Sequence, residues 1–132
     1  MNYQSLPKIE LHLHLDCSLS YKVVQQIDPS ITYEQYKESF IAPPKCTDLT
    51  DYLLRAIKGF ELMQTKEQLQ LVTLDLMEQL KADNVIYAEI RFAPLLHITK
   101  GLTPTEVVQT VNDALTTGIQ NTGVQARLIL CT

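Results

Sequence analysis

The stretch Lys8-Ile9-Glu10-Leu11-His12-Leu13-His14-Leu15-Asp16 decides how this chain is read, because its polar residues alternate with aliphatic ones and the polar series ends in two histidines and an aspartate. Successive side chains of a strand point to opposite faces. A strand here sets Glu10, His12, His14 and Asp16 on one face and Ile9, Leu11, Leu13 and Leu15 on the other. Imidazoles at i and i+2 of a strand have Cα atoms about 6.5 Å apart and can both reach one ion at about 2.0–2.1 Å, whereas on a helix they diverge. The stretch therefore predicts a strand with a metal site at its end. The alternative is a hydrogen-bonded histidine pair without a metal.

Outward from it, Ser18 to Gln26 predicts a short helix capped by Ser18 or Ser20, ended by Asp28-Pro29-Ser30. Thr32 to Phe40 predicts another, stopped by Ala42-Pro43-Pro44-Lys45. So much chain before the next helix exceeds a usual strand-to-helix loop, and such insertions tend to belong to binding sites or lids. A helix capped by Asp48 or Thr50 runs through Tyr52, Ala56 and Phe60, weakened near its end by Gly59. Thr65, with Gln68 three residues on, opens the longest amphipathic run, which ends near Ala82-Asp83-Asn84. Val85 to Ala93 reads as a strand halted by Pro94, Leu95 to Leu102 as loop, and Thr103-Pro104 as the start of a helix reaching Gly118 or Ile119. Gly123 turns the chain into a last strand, Val124 to Cys131.

This order of strands and helices predicts right-handed crossovers and a parallel sheet. Parallel sheets are normally covered on both faces, and no helix follows the last strand, so the chain reads as the first part of a larger α/β protein.

At 132 residues, 45% hydrophobic and 20% charged, the chain can bury one core, and residues 1–132 are expected to form a single unit. A net charge of -4 with no basic run argues against nucleic acid or an anionic membrane as partner and favours a small molecule. The N-terminus lacks a signal-peptide pattern and no apolar run reaches membrane-span length, which points to the cytoplasm. The cysteines, Cys17, Cys46 and Cys131, are odd in number and widely spaced, as reduced thiols are. Cys17 is read as a small unreactive residue.

The second strand carries Tyr87, Glu89 and Arg91 on one face, and the third carries Gln125 and Arg127. Such a face can meet solvent or line a barrel interior where charges must pair; on the second reading Glu10, Glu89, Arg91 and Arg127 are expected to form an ionic layer beneath the metal end. His97 follows Pro94 in a loop and is expected at the surface. Tyr52 and Phe60, spaced along a helix, are expected in the core.

His12-Leu13-His14-Leu15-Asp16 resembles the His-x-His-x-Asp opening of the metal-dependent adenosine deaminase family, within the amidohydrolase superfamily. Leu6-Pro7-Lys8-Ile9-Glu10-Leu11, Tyr87-Ala88-Glu89-Ile90-Arg91-Phe92-Ala93-Pro94, Leu102-Thr103-Pro104 with Glu106-Val107-Val108, and Gly123-Val124-Gln125-Ala126-Arg127 agree with it, so the likeness runs from about Leu6 to the end. It implies a (β/α)₈ barrel of typically ~250 residues or more with its active site at the C-terminal strand ends, this chain supplying the N-terminal part, about three βα units. By resemblance His12 and His14 are ligands of a catalytic Zn2+, and His14 and Asp16 lie near the ribose of a purine nucleoside.

The reaction implied is hydrolytic deamination of adenosine or deoxyadenosine to inosine or deoxyinosine and ammonia. The family's third histidine ligand, its aspartate ligand, the glutamate that protonates the purine and a water-orienting histidine come from later strands. No catalytic residue is therefore expected within this chain, and little activity from it alone. Cys17 stands where the family usually has Gly, and Ala56 follows Tyr52 where close relatives often place an aromatic residue. These departures keep open a deaminase of adenine, of a 6-aminopurine nucleotide or of a modified nucleoside. A non-catalytic module that has lost the metal is a further alternative. An open barrel edge also invites self-association.

Overall fold

The computed structural model describes residues 2–132. Strand β1 (Lys8–His14) leads into a 3-10 turn, Leu15–Cys17, and then helices α1 (Tyr21–Ile27), α2 (Tyr33–Phe40), α3 (Leu49–Glu61) and α4 (Lys66–Ala82). Strand β2 (Val85–Phe92), a 3-10 turn at Pro94–His97, helix α5 (Pro104–Thr122) and strand β3 (Gln125–Leu130) complete the order. The strands form a parallel sheet in the order β1-β2-β3, as the alternation of strands and helices predicts.

The caps are local chemistry. Ser20 rather than Ser18 caps α1, and Asp48 rather than Thr50 caps α3, each through its side chain. Thr32, Thr65 and Thr103 each form a reciprocal capping box with the Gln or Glu three residues on. Helix α5 runs past Gly118 to Thr122 and ends only where Gly123 adopts φ 78°. Gly118 is instead a contact point: a Cβ there would lie 2.6 Å from Met77 Cγ on α4. The core lies between the sheet and these two helices, where Ala88, Ile90, Phe92 and Ala126 meet Leu69, Val72, Met77, Val107 and Val111.

One irregularity changes the reading of β1. Glu10 pairs with Ala88 but Leu13 pairs with Ile90, so three residues of β1 advance against two of β2. This bulge slips the alternation. Glu10 falls on the side of buried Ala88, apart from the histidines, whereas His14 stands beside Arg91 on the other face. The aliphatic set is split too: Leu15 is buried while Ile9 and Leu11 are each 59% exposed on the open side of β1.

The expected ionic layer does not form. No ion pair among the described residues involves Glu10, Glu89, Arg91 or Arg127. Glu89 accepts a hydrogen bond from Tyr87 Oη at 3.0 Å, and Arg127 donates to the Ala126 carbonyl at 2.9 Å. With β1 slipped by a residue, Glu10 cannot reach the arginines' face. No helix among the described residues is long and apolar enough to cross a membrane.

Candidate metal centre

At the C-terminal end of β1, His12 and His14 converge: their Nε2 atoms lie 3.2 Å apart, with ring centroids 5.2 Å apart and planes tilted by 39°. Two nitrogens bound at about 2.0–2.1 Å to one tetrahedral ion sit about 3.3–3.4 Å apart, so this pair fits the two-histidine half of a zinc shell. Strand alternation sets His12 on the side of His14, where His14 pairs with Arg91 of β2.

Arg91 Nη1 lies 3.1 Å from His12 Nε2. A guanidinium only donates, so the lone pair of His12 Nε2 faces it and the His12 proton sits on Nδ1. Burial holds the His14 pKa below 6.5; Asp16 works the other way, while Arg91 and His12 add to the lowering. His14 is therefore a neutral imidazole near pH 7, the form that binds metals.

Asp16 lies one turn on, buried, with its Oδ1 3.8 Å from His14 Nδ1 and 3.5 Å from Cys17 Sγ. Burial raises its pKa, against the lowering effects of the Cys17 thiol, His97 and His14. Burial first, and then the Asp16 charge, push the Cys17 thiol up to about 12. The turn carrying these groups is held from several sides. An added Cβ at Gly59 would lie 2.0 Å from the Asp16 carbonyl oxygen, so α3 touches the turn only because residue 59 is Gly. From α4, Gln79 donates to the Ser18 carbonyl at 2.8 Å and Asp75 accepts from Ser20 Oγ at 2.8 Å. Ser18 Oγ donates back to the His14 carbonyl.

His97, expected at the surface, is fully buried. Its Nδ1 is 3.1 Å from the Met63 carbonyl, its ring packs between Phe60 and Phe92, and its Nε2 has no partner. Burial lowers its pKa, opposed by Asp16 and by the Met63 carbonyl. Its position just past the end of β2 was the available signal, since parallel sheets gather functional groups at their C-terminal strand ends. Gln64 was missed as well: it bonds the carbonyls of Phe60 and Leu96 and the Thr99 amide, tying the end of α3 to the loop after β2. Tyr52, expected in the core, is exposed and faces a small gap shared with Cys17, Phe40 and Ala56.

Comparison with known proteins agrees with this geometry. The sequence pattern of the family described as "Adenosine deaminase" matches residues 7–132. An adenosine deaminase of Clostridium perfringens is 39% identical over 137 residues, covering 98% of this chain and 41% of that protein. One of Enterococcus faecalis is 42% identical over 134 residues, covering 97% and 40%. The chain thus spans about 40% of the length of the curated relatives it matches. Among solved structures, the adenine deaminase of Arthrobacter aurescens superposes with a TM-score of 0.78 at 27% identity, over 94% of this chain and 39% of that one. An amidohydrolase of Burkholderia ambifaria with bound Zn gives 0.76 at 22% identity, over 97% and 36%, a likeness of fold. The three-stranded parallel sheet is accordingly part of a TIM barrel of the metal-dependent hydrolase type. A family match that runs from Pro7 to Thr132, and so takes in the paired histidines and every strand of the sheet, places this chain in the adenosine deaminase family.

Proposed function

We propose that the chain supplies the first part of the active site of a zinc-dependent purine nucleoside deaminase, which converts adenosine or deoxyadenosine with water to the inosine product and ammonia. The observation that carries this is the 3.2 Å approach of His12 Nε2 to His14 Nε2 at the end of β1. His12 and His14 hold the ion. Zinc, when bound, supplies a Lewis acid able to lower the pKa of a water toward about 7. Arg91 must give up His12 Nε2 for this, and it has a lateral neighbour to turn toward in Tyr87 and Glu89 on the same face. Asp16, held by the contact of its carbonyl with Gly59 and 3.8 Å from His14 Nδ1, receives the ribose hydroxyls together with His14 in this reading.

The general acid and the remaining ligands are not among these residues, so the chain alone is expected to turn over no adenosine. A cytoplasmic setting accords with its free cysteines. The unpaired edges of β1 and β3 are proposed to pair copies of the chain in the absence of a covering partner.

Zinc binding in a Cys17→Ser background tests the ligand assignment. Weak zinc binding with partial occupancy is expected from the two histidines, and His12→Ala and His14→Ala should each weaken it by more than about tenfold, the scale on which supporting residues already matter. Equal affinity in all three proteins would remove the proposal. A second reading, deamination of free adenine, is favoured by the 27% identity to an adenine deaminase.

A further inference from the structure

We propose that Gln64 and His97 are positioning residues for the Asp16 end of the site: they clasp the last turn of α3 to the loop after β2, and that turn holds Asp16 in place. Asp16 serves the ribose on the deaminase reading, on which this role rests. Gln64 is 4% exposed, and every hydrogen-bonding position of its side-chain amide is used. Its Nε2 donates to the Phe60 carbonyl at 2.7 Å and to the Leu96 carbonyl at 2.8 Å. Its Oε1 accepts from the Thr99 amide at 3.0 Å and from Thr99 Oγ1 at 2.7 Å. Carbonyls only accept and a backbone N–H only donates, so the side chain has one orientation here. From the loop, His97 reaches the Met63 carbonyl through Nδ1 at 3.1 Å. That contact puts the His97 proton on Nδ1 and leaves Nε2 a lone pair, buried and unpartnered. In so apolar a slot a phenylalanine would bury no orphaned nitrogen, so what the histidine supplies is the Nδ1 bond.

Both contacts tie residues 60–64 to residues 96–99, and the Asp16 turn sits against the same end of α3. Gly59 meets the Asp16 carbonyl at a distance that excludes a Cβ, and Phe60, the next residue, packs edge-on to the His97 ring with centroids 6.0 Å apart. Burial lowers the His97 pKa and the nearby Asp16 charge opposes that, so the two groups sense each other. A fully satisfied buried network specifies one arrangement where apolar contacts alone tolerate several. Precision matters at this place, because a misplacement of about 1 Å in a substrate-orienting group can cost about a hundredfold.

Two measurements test the clasp. In the whole chain, amide hydrogen exchange is compared in Gln64→Leu, Thr99→Val and His97→Phe, the last keeping a ring in the slot while removing the Nδ1 donor. The Ser18 amide, which donates to the Leu15 carbonyl within the Asp16 turn, should exchange about tenfold faster, while the Val111 amide inside α5 keeps its rate, as a local opening requires. His97→Asn, whose side-chain amide can still donate to Met63, should restore the slow rate. An unchanged Ser18 amide, or equal acceleration at Val111, overturns the inference, and Thr99→Val, which removes the fewest contacts, decides it where Gln64→Leu fails to fold. The second measurement uses the adenosine deaminase of Clostridium perfringens with residues 2–132 in place of its corresponding segment. In the same variants KM for adenosine should rise about tenfold with kcat little changed, whereas KM for 9-ethyladenine, which has no ribose hydroxyls, should stay constant. An equal rise for both substrates would overturn the positioning role. Faster Ser18 exchange alongside a parent chimera that leaves adenosine untouched would uphold the clasp and count against the deaminase reading instead.

Discussion

At the scale of single residues, the site depends on groups whose roles come from their neighbours. Gly59 is the clearest, since α3 approaches the Asp16 carbonyl at a distance that leaves no room for a methyl group. Gly59→Ala should destabilise the chain by about 1–3 kcal/mol, the range for overpacking, because the obstructing atom is backbone and cannot swing away. Urea denaturation measures this, and an unchanged midpoint would mean that α3 does not seat on the turn. His97 carries a pH dependence. Burial holds its pKa below 6.5 in the folded chain, so the unfolded chain binds more protons at mildly acid pH. Its contribution is complete above about 6.5 and is lost as the pH falls from there, whereas Asp16, raised from 3.8, acts with the opposite sign at lower pH. Denaturation midpoints at about pH 7.5 and 5.5 should therefore fall less in His97→Gln than in the parent. An equal fall in both would show that His97 is not the group responsible. Neither role was legible in the sequence, where Gly59 reads as a weak helix position and His97 as a loop residue, because both arise from contacts between distant segments.

At the scale of elements, the sequence carried more. The Thr-x-x-Gln and Thr-x-x-Glu boxes at Thr32, Thr65 and Thr103 were readable because a cap is satisfied within four residues. The box at Thr103 also reaches outside its helix. Glu106 accepts from the Thr103 amide and pairs with Lys66 at the start of α4, contacts that, in that order, hold its carboxyl down to about 2. Thr103→Ala is expected to cost about 1 kcal/mol in the same denaturation experiment, and no loss would mean that the cap is redundant. The bulge in β1 escaped the sequence, since the alternation from Lys8 to Asp16 is unbroken as written and only pairing with β2 exposes the extra residue. That slip separates Glu10 from the histidines, and it is why the ionic layer expected from alternation is missing.

At the scale of the whole molecule, the parallel sheet and its order follow from the alternation of elements, and the position of His12 and His14 at a strand end follows from their spacing. What local pattern could not supply lies outside this chain, which spans 41% of the length of its Clostridium perfringens relative. The proposal that the chain provides the metal strand of a purine nucleoside deaminase can be checked with that relative's corresponding segment replaced by residues 2–132. The measurement is the rate of inosine formation from adenosine by the folded, zinc-loaded chimera, with adenine assayed alongside. Adenosine turnover that His12→Ala abolishes is expected. A folded, zinc-loaded chimera that leaves adenosine untouched, or one whose turnover survives His12→Ala, would contradict it.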